Sequence, residues 1–384
     1  MNMVTILRVV GASIAIAASV AAMQAQAQVE IPSEWILCAN EDKAYPPDIV
    51  ADGCTAVIVA TNRSPRERAV AYINRGLAYR ATGEHSRALA DYDAAIKLDP
   101  TYAPAYNNRG ALHRDAGEFD RAIADYDEAI RIDPKSAVVL TNRGAAFADK
   151  GNLDRAIVDY DAAIGADPRY APAFTNRGNA YRQKGDLSRA AADYGAAIEA
   201  DPKNPIAYNN RGAAYRVMGD TEKALLYYSE AIRLDPKYAL AFNNRGSVRR
   251  DQGDYDLAVA DFNEAIRLNP RFAAAIANRG DAYRDKREFE RAVMDYDAAI
   301  QINPRNFLTW NNRGFVHLKL GDLDQSISDY DTALRLNPRS APSLYGRGLA
   351  KRKRGDEAGA EGDLAAATAI SPDVAEEFTK FGIE

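Results

Sequence analysis

Two cysteines and three histidines are all that 384 residues offer of the side chains that most often hold metals or pair a nucleophile with a base. The histidines, His85, His113 and His317, form no pair at metal-ligand spacing, and neither a glycine-rich phosphate loop nor a nucleophile elbow occurs. A cationic excess is missing too: 49 Lys and Arg stand against 54 Asp and Glu, a formal net charge of −5. That balance gives no global field for phosphate backbones and argues against nucleic acid as the partner. Long apolar runs are confined to one at the amino terminus, so no second membrane span is expected. Catalysis, a cofactor and a bound metal are therefore not expected, and function is to be sought on a binding surface.

The single apolar run follows Arg8 as VVGASIAIAASVAAM and gives way to Ala25-Gln26-Ala27. A positive charge, an apolar run of about 7–15 residues and a small-x-small site make a secretory signal pattern. Residues 1–27 are expected to be a signal peptide, leaving a chain that is exported, periplasmic or secreted, with no membrane span after cleavage. The alternative is an uncleaved anchor from Val4 to Met23, close to the ~20 residues a span needs. Cys38 and Cys54 lie just beyond, 16 positions apart. In an exported chain this pair reads as a disulfide, worth roughly 3 kcal/mol for a closed loop of about 15 residues. Free thiols are the other reading, and a metal site would need more ligands.

What the sequence has in abundance is repetition. Asn-Arg-Gly occurs at 74–76, 108–110, 142–144, 176–178, 210–212, 244–246, 278–280 and 312–314, always 34 residues on, with a ninth copy as Gly346-Arg347-Gly348. A second marker keeps the same step, from Asp99-Pro100 through Asp201-Pro202 and Asn303-Pro304 to Ser371-Pro372. The period divides 69–374 into nine units: 69–102, 103–136, 137–170, 171–204, 205–238, 239–272, 273–306, 307–340 and 341–374. Within 103–136 the pattern is helix, turn, helix. Pro104 suits a first helical turn, Tyr106, Gly110 and His113 share a face, and Gly117 ends the helix. Phe119, Ala122, Ile123, Tyr126, Ala129 and Ile130 then make an apolar stripe that Asp133-Pro134 stops. Such a hairpin cannot bury both faces alone, so neighbours must stack.

These residues resemble the tetratricopeptide repeat. Its pattern of an aromatic, Leu-Gly, Tyr, Ala-x-x-x-Phe and a closing Pro falls on Tyr106, Arg109-Gly110, His113, Ala122, Tyr126 and Pro134. The resemblance covers residues 69–374 and implies an all-α fold. That fold is a right-handed α-solenoid or superhelix of nine 34-residue helix-turn-helix units whose first helices line the concave side. Two departures stand out: arginine where the family usually has leucine, and Arg287 where other units have the turn glycine. The arginine has an internal answer, because Arg75, Arg109, Arg143, Arg177, Arg245, Arg279, Arg313 and Arg347 are matched by Asp91, Asp125, Asp159, Asp193, Asp261, Asp295, Asp329 and Asp363 on the second helix. An Arg–Asp pair across each hairpin is expected. The fifth unit breaks the rule, since Arg211 faces Tyr227, and that arginine should be the loosest or find another acceptor. His113 and His317 take the place of a packed aromatic and are read as packing residues, while Asp-x-Asp spacings such as Asp125-Tyr126-Asp127 lie on a helix and lack the closing residues of a calcium loop.

Two rows on the first helices are the candidate peptide-binding residues. Asn74, Asn108, Asn142, Asn176, Asn210, Asn244, Asn278 and Asn312 are similar to the asparagine ladder of O-linked N-acetylglucosamine transferases, which grips the backbone of extended peptides. A carboxamide offers a peptide unit both donor and acceptor; the alternative is capping or hydrogen bonding between repeats. Arg80, Arg114, Arg182, Arg216, Arg250, Arg284 and Arg352 would favour acidic side chains or a carboxyl terminus, unless they make only a solvated face diluted by Asp115, Asp251 and Asp285. Trp310, Phe315, Leu318 and Tyr345 make the last units more apolar and suggest an anchor pocket, Trp310 itself being the expected core aromatic. Residues 28–68 are expected to cap one end of the array and 375–384 the other. The expected function is a protein–protein adaptor or scaffold of the bacterial cell envelope, holding an extended peptide or protein segment. The competing readings are a self-assembling structural array joined end to end and a non-catalytic subunit of an envelope enzyme complex.

Overall fold

A computed structural model describes residues 33–380 and Gly382. The expected signal peptide, residues 1–27, and the first residues of the cap, 28–32, lie outside the described residues. Among the described residues the chain forms 21 helices and no strand. The chain divides into two compact units, residues up to Asn152 and from Leu153 on, and within each the helices of a hairpin pack on each other and on those of the next.

The first unit begins with helices Glu34–Ala39 and Pro47–Val59. Gly53 lets them touch, for a Cβ there would fall 2.6 Å from the Leu37 Cβ. The Cys38 and Cys54 sulfurs lie 2.07 Å apart, so the fold brings the two cysteines together as the sequence suggested. Val50 and Val57 of this cap join Ile73 and Tyr79 of the first repeat in one core, which covers the apolar face an open array would expose. Helices Pro65–Ala81 and His85–Leu98, Ala103–Asp115 and Phe119–Ile132, and then Ala137–Asp149 follow. Ser64 starts the first of these with a capping box, its Oγ accepting from the Glu67 amide while the Glu67 carboxylate accepts from the Ser64 amide.

The second unit opens with helix Leu153–Ala166. Six hairpins follow: Ala171–Gln183 with Leu187–Ala200, Pro205–Val217 with Thr221–Leu234, Ala239–Asp251 with Tyr255–Leu268, Ala273–Asp285 with Phe289–Ile302, Phe307–Leu320 with Leu323–Leu336, and Ala341–Arg354 with Glu357–Ile370. A short helix, Val374–Thr379, closes the unit by burying Phe378 against Phe315 and Tyr345, with ring centroids 5.5 and 5.0 Å away.

The glycine of the Asn-Arg-Gly triplet sets the spacing within a hairpin. A Cβ added at Gly76, Gly110, Gly178, Gly212, Gly246 or Gly280 would lie 2.5–2.9 Å from the ring of Tyr92, Tyr126, Tyr194, Tyr228, Phe262 or Tyr296. The missing side chain on the first helix is thus the socket for an aromatic on the second. Each of these rings is fully buried, contributing about 1.5–3 kcal/mol of apolar burial.

Turns inside the hairpins use a second set of glycines in the left-handed region, Gly83, Gly117, Gly151, Gly185, Gly219, Gly253, Gly321 and Gly355, with φ between 75° and 95°. Arg287 takes the same place with φ 64°, and the turn is kept: the Arg287 amide donates to the Arg284 carbonyl and the Glu288 amide to the Tyr283 carbonyl. The seventh unit therefore accepts backbone strain rather than a different turn. Since an L-residue there costs roughly 1–2 kcal/mol, Arg287→Gly should raise the urea midpoint by an amount equivalent to about 1 kcal/mol, after allowance for the looser unfolded chain. A lowered midpoint would show that the Arg287 side chain contributes more than its backbone costs.

Candidate protein-binding surface

In seven of the repeats the triplet arginine is a structural clamp. Arg109 donates from Nε and Nη2 to Asp125 at 3.0 and 2.6 Å, and the same two-point pairing joins Arg75 to Asp91, Arg177 to Asp193, Arg245 to Asp261, Arg279 to Asp295, Arg313 to Asp329 and Arg347 to Asp363. These aspartates are buried, and the shared hydrogen bonds hold the Arg109 and Arg177 guanidinium groups above their ordinary pKa. A second acceptor on the preceding hairpin was not anticipated. The Arg109 Nη1 donates to Asp93, Arg143 to Asp127, Arg177 to Asp161, Arg313 to Asp297 and Arg347 to Asp331, at 2.5–2.7 Å. Each arginine thus stitches its own hairpin and fastens it to the one before. Arg75 has no preceding repeat, and its Nη1 donates instead to Thr55 Oγ1 of the cap at 2.9 Å. A second row of acids, two residues beyond the first and at the same 34-residue step, was the signal for this contact.

In each unit successive first helices touch one another, whereas no comparable contact joins successive second helices among the described residues. The first-helix side is therefore the crowded inner side. The eight candidate asparagines sit half-buried on it, and five of them, Asn142, Asn210, Asn244, Asn278 and Asn312, are already engaged. In the first unit Asn142 donates from Nδ2 to Asn107 Oδ1 at 2.9 Å. In the second unit Asn210 donates to Asn179, Asn244 to Asn209, Asn278 to Asn243 and Asn312 to Asp281, at 2.9–3.4 Å. Each acceptor lies on the preceding first helix, so the row performs the inter-repeat bonding that was one of its two readings. A carboxamide has two N–H donors and two acceptor lone pairs, and these contacts leave part of that capacity unused.

The second arginine row is largely neutralised. Arg80 pairs with Asp115, Arg114 with Asp149 and Arg216 with Asp251, each on the following repeat, while Arg250 pairs with Asp281 and Arg284 with Asp285. Arg182 has Val217 where Arg216 has Asp251, so the following repeat offers it no carboxylate at that position. His113 and His317 pack as expected and close their turns on Glu118 and Asp322. The expected apolar anchor near the last units is filled in part by the chain itself, since Phe378 lies on Phe315 and Tyr345. A cavity of about 250 Å³ remains beside it, lined by Arg284, Asn311, Asn312, Phe315, Pro342, Phe378 and Lys380. Trp310 is half-buried, its indole N–H donating to the Pro304 carbonyl at 2.9 Å.

The chain belongs to the tetratricopeptide repeat family. Models described as tetratricopeptide repeat match residues 103–136, 137–170, 205–238, 239–272 and 307–340, and one described as TPR repeat matches 76–115, 178–219 and 280–321. Among solved structures it is similar to a chain of the APC/C hetero-tetramer Cut9–Hcn1, with TM-score 0.56 and 16% identity over 83% of this chain. The match spans 62% of that chain's length. It is also similar to a tetratricopeptide repeat protein of Parabacteroides merdae, with TM-score 0.52 and 22% identity over 63% of this chain and 97% of that one. Both likenesses concern the fold. No curated protein sequence matches the chain. Repeats of this family bind proteins and peptides, and the fold is typically a scaffold rather than a catalyst.

Proposed function

We propose that the chain is an exported adaptor of the bacterial cell envelope that holds an extended protein segment along the inner, asparagine-lined side of its repeats. The observation that carries this reading is the row of half-buried carboxamides at one position of successive first helices, five of them fixed by the repeat before and all with hydrogen-bonding capacity to spare. Held side by side at the repeat spacing, such groups can meet successive backbone amides without reading side chains. Export is supported by the amino-terminal pattern of residues 1–27 and by the juxtaposed Cys38 and Cys54, which an oxidising compartment would keep as a disulfide.

The test uses residues 28–384 and a variant with Asn176, Asn210 and Asn244 changed to Ala, both screened on an array of extended envelope-protein peptides. The parent should bind a subset, and the variant, still helical by circular dichroism, should lose at least tenfold in affinity. Undiminished binding by the variant would reduce the asparagines to structural links. Mass spectrometry of protein isolated from the envelope fraction should find a chain beginning at Gln28 with Cys38 and Cys54 oxidised; an intact amino terminus would instead support the anchor from Val4 to Met23.

A further inference from the structure

Seven of the triplet arginines are given a buried carboxylate by their own hairpin, and five a second by the hairpin before. At Arg211 both are withdrawn together. Position 227, where other repeats carry Asp, is Tyr, and position 195, where the second and third repeats supply Asp127 and Asp161 to their followers, is Gly. The weaker second acceptors of the next two repeats, Ser229 for Arg245 and Asn263 for Arg279, still accompany an intact Asp261 or Asp295.

The result is a guanidinium set for an anion and lacking one. The Arg211 Nε is sealed from solvent without a hydrogen-bond acceptor. Its terminal nitrogens carry no ion pair either, and the side chain remains half-exposed. The guanidinium carbon lies 4.7 Å from the Tyr227 ring centroid and 5.9 Å from that of Tyr215, and these two rings stack at 5.5 Å with planes 8° apart. Aromatic faces orient a cation but leave its in-plane N–H donors unsatisfied. On the other hairpin there is only the bare backbone of Gly195, where an added Cβ would come 3.2 Å from the guanidinium carbon. The guanidinium thus lies between Tyr227 and Gly195, on the second helices of the fifth and fourth repeats.

We propose that Arg211 is a binding site for a carboxylate from outside the chain, an acidic side chain of a partner protein taking the place beside Gly195 that Asp127 and Asp161 fill for Arg143 and Arg177. With Nε closed off, the carboxylate is met end-on by the two terminal nitrogens, on the side from which Arg143 and Arg177 reach Asp127 and Asp161, and a planar fork of this kind selects carboxylates over single-point anions. The tyrosine stack holds the fork in place when the site is empty.

The inference predicts that putting the internal acid back will close the site. Fluorescein-labelled hexaglutamate is titrated by anisotropy against residues 28–384, with hexaglutamine as the neutral probe and acetate as a competing free carboxylate. Hexaglutamate should bind the parent and hexaglutamine should not compete, while Arg211→Gln and Tyr227→Asp should each weaken binding at least tenfold. Tyr227→Asp should also raise the thermal midpoint, because it restores the pair seen in neighbouring repeats, so its loss of binding cannot be loss of fold. Met294→Asp, which adds the same charge at an exposed position two repeats away, should bind like the parent. Displacement by millimolar acetate would assign the site to small carboxylates as well as acidic side chains. Hexaglutamate binding that is absent from the parent, or unchanged in Tyr227→Asp, would overturn the inference. The asparagine row is intact in all these proteins, so that outcome leaves the peptide-binding reading to its own test.

Discussion

Asp329→Ala should destabilise the second unit by about 3–5 kcal/mol, one of the two largest effects expected in this molecule. The Asp329 carboxylate is 4% exposed and accepts from Arg313 Nε and Nη2 at 2.8 and 2.6 Å. Its removal leaves a half-buried guanidinium with only Asp297, itself half-exposed, to answer it. The cost comes from the abandoned charge more than from the lost attraction, which a second variant can separate. Replacing both partners, with Arg313→Leu and Asp329→Leu, should recover most of the loss, because well-packed apolar residues often match a buried ion pair in stability. Urea denaturation followed by circular dichroism measures both. A double variant no better than Asp329→Ala would show that the pair stabilises the array by more than mutual neutralisation.

The clamp of the ninth repeat gives the fold an acid flank. Burial raises the Asp363 pKa, but hydrogen bonds and charge from Arg347 and Lys351 outweigh it and leave the carboxyl below its ordinary value. A depressed carboxylate contributes stability that is complete above the unfolded pKa of about 3.9 and is lost as pH falls through the lower folded value.

The other large effect is at alkaline pH. Tyr92, Tyr126, Tyr194, Tyr228, Tyr296 and Tyr330 have essentially no exposed surface. Burial pushes Tyr92, Tyr126 and Tyr228 up to about 12, raises Tyr194, and holds Tyr296 and Tyr330 well above the usual value. A group with a raised folded pKa stabilises the fold fully below its unfolded pKa, about 10 for tyrosine, and loses that contribution as pH rises through the folded value. At pH 11 Tyr92, Tyr126 and Tyr228, with folded values of about 12, each favour unfolding by about 1 kcal/mol, and Tyr194, Tyr296 and Tyr330 add to this in the same direction. Helix content should therefore collapse cooperatively near pH 11, with a burst of tyrosinate absorbance at 295 nm in the same transition. Smooth ionisation of all 21 tyrosines near pH 10 with helicity retained would contradict the burial argument. The hydroxyls of Tyr92, Tyr126 and Tyr330 have no partner, so changing these three to Phe should move the transition to higher pH at little cost at pH 7. Phe262 already occupies this position in the sixth repeat.

Much of the fold was legible because its instructions are local. A 34-residue step placed the helices, the turn glycines and the Asp-Pro stops, and it paired Arg177 with Asp193 and Arg313 with Asp329 through a register that a hairpin leaves no freedom to change. It also marked Arg211 as the exception, and the structure leaves that side chain without a carboxylate. The asparagine row was visible as a row but not as a set of bonds. Asn278 reaches Asn243, 35 residues back, whereas Asn312 reaches Asp281, 31 residues back, and nothing in the triplet distinguishes them.

The sequence by itself determined the repeat, the hairpin and every contact whose partners lie within one unit, since helix periodicity and a short turn fix those distances. Tertiary structure alone decided what one hairpin does to the next. It gave the arginines their second carboxylates, turned the asparagines toward their neighbours, paired Arg80 and Arg114 with acids of the following repeat, and laid Phe378 over Phe315. The physical reason is that stacking depends on the rotation and separation of two packed hairpins. Those follow from the fit of whole side-chain surfaces, such as Gly346, where an added Cβ would fall 2.2 Å from Tyr330 of the hairpin before, rather than from any spacing along the chain.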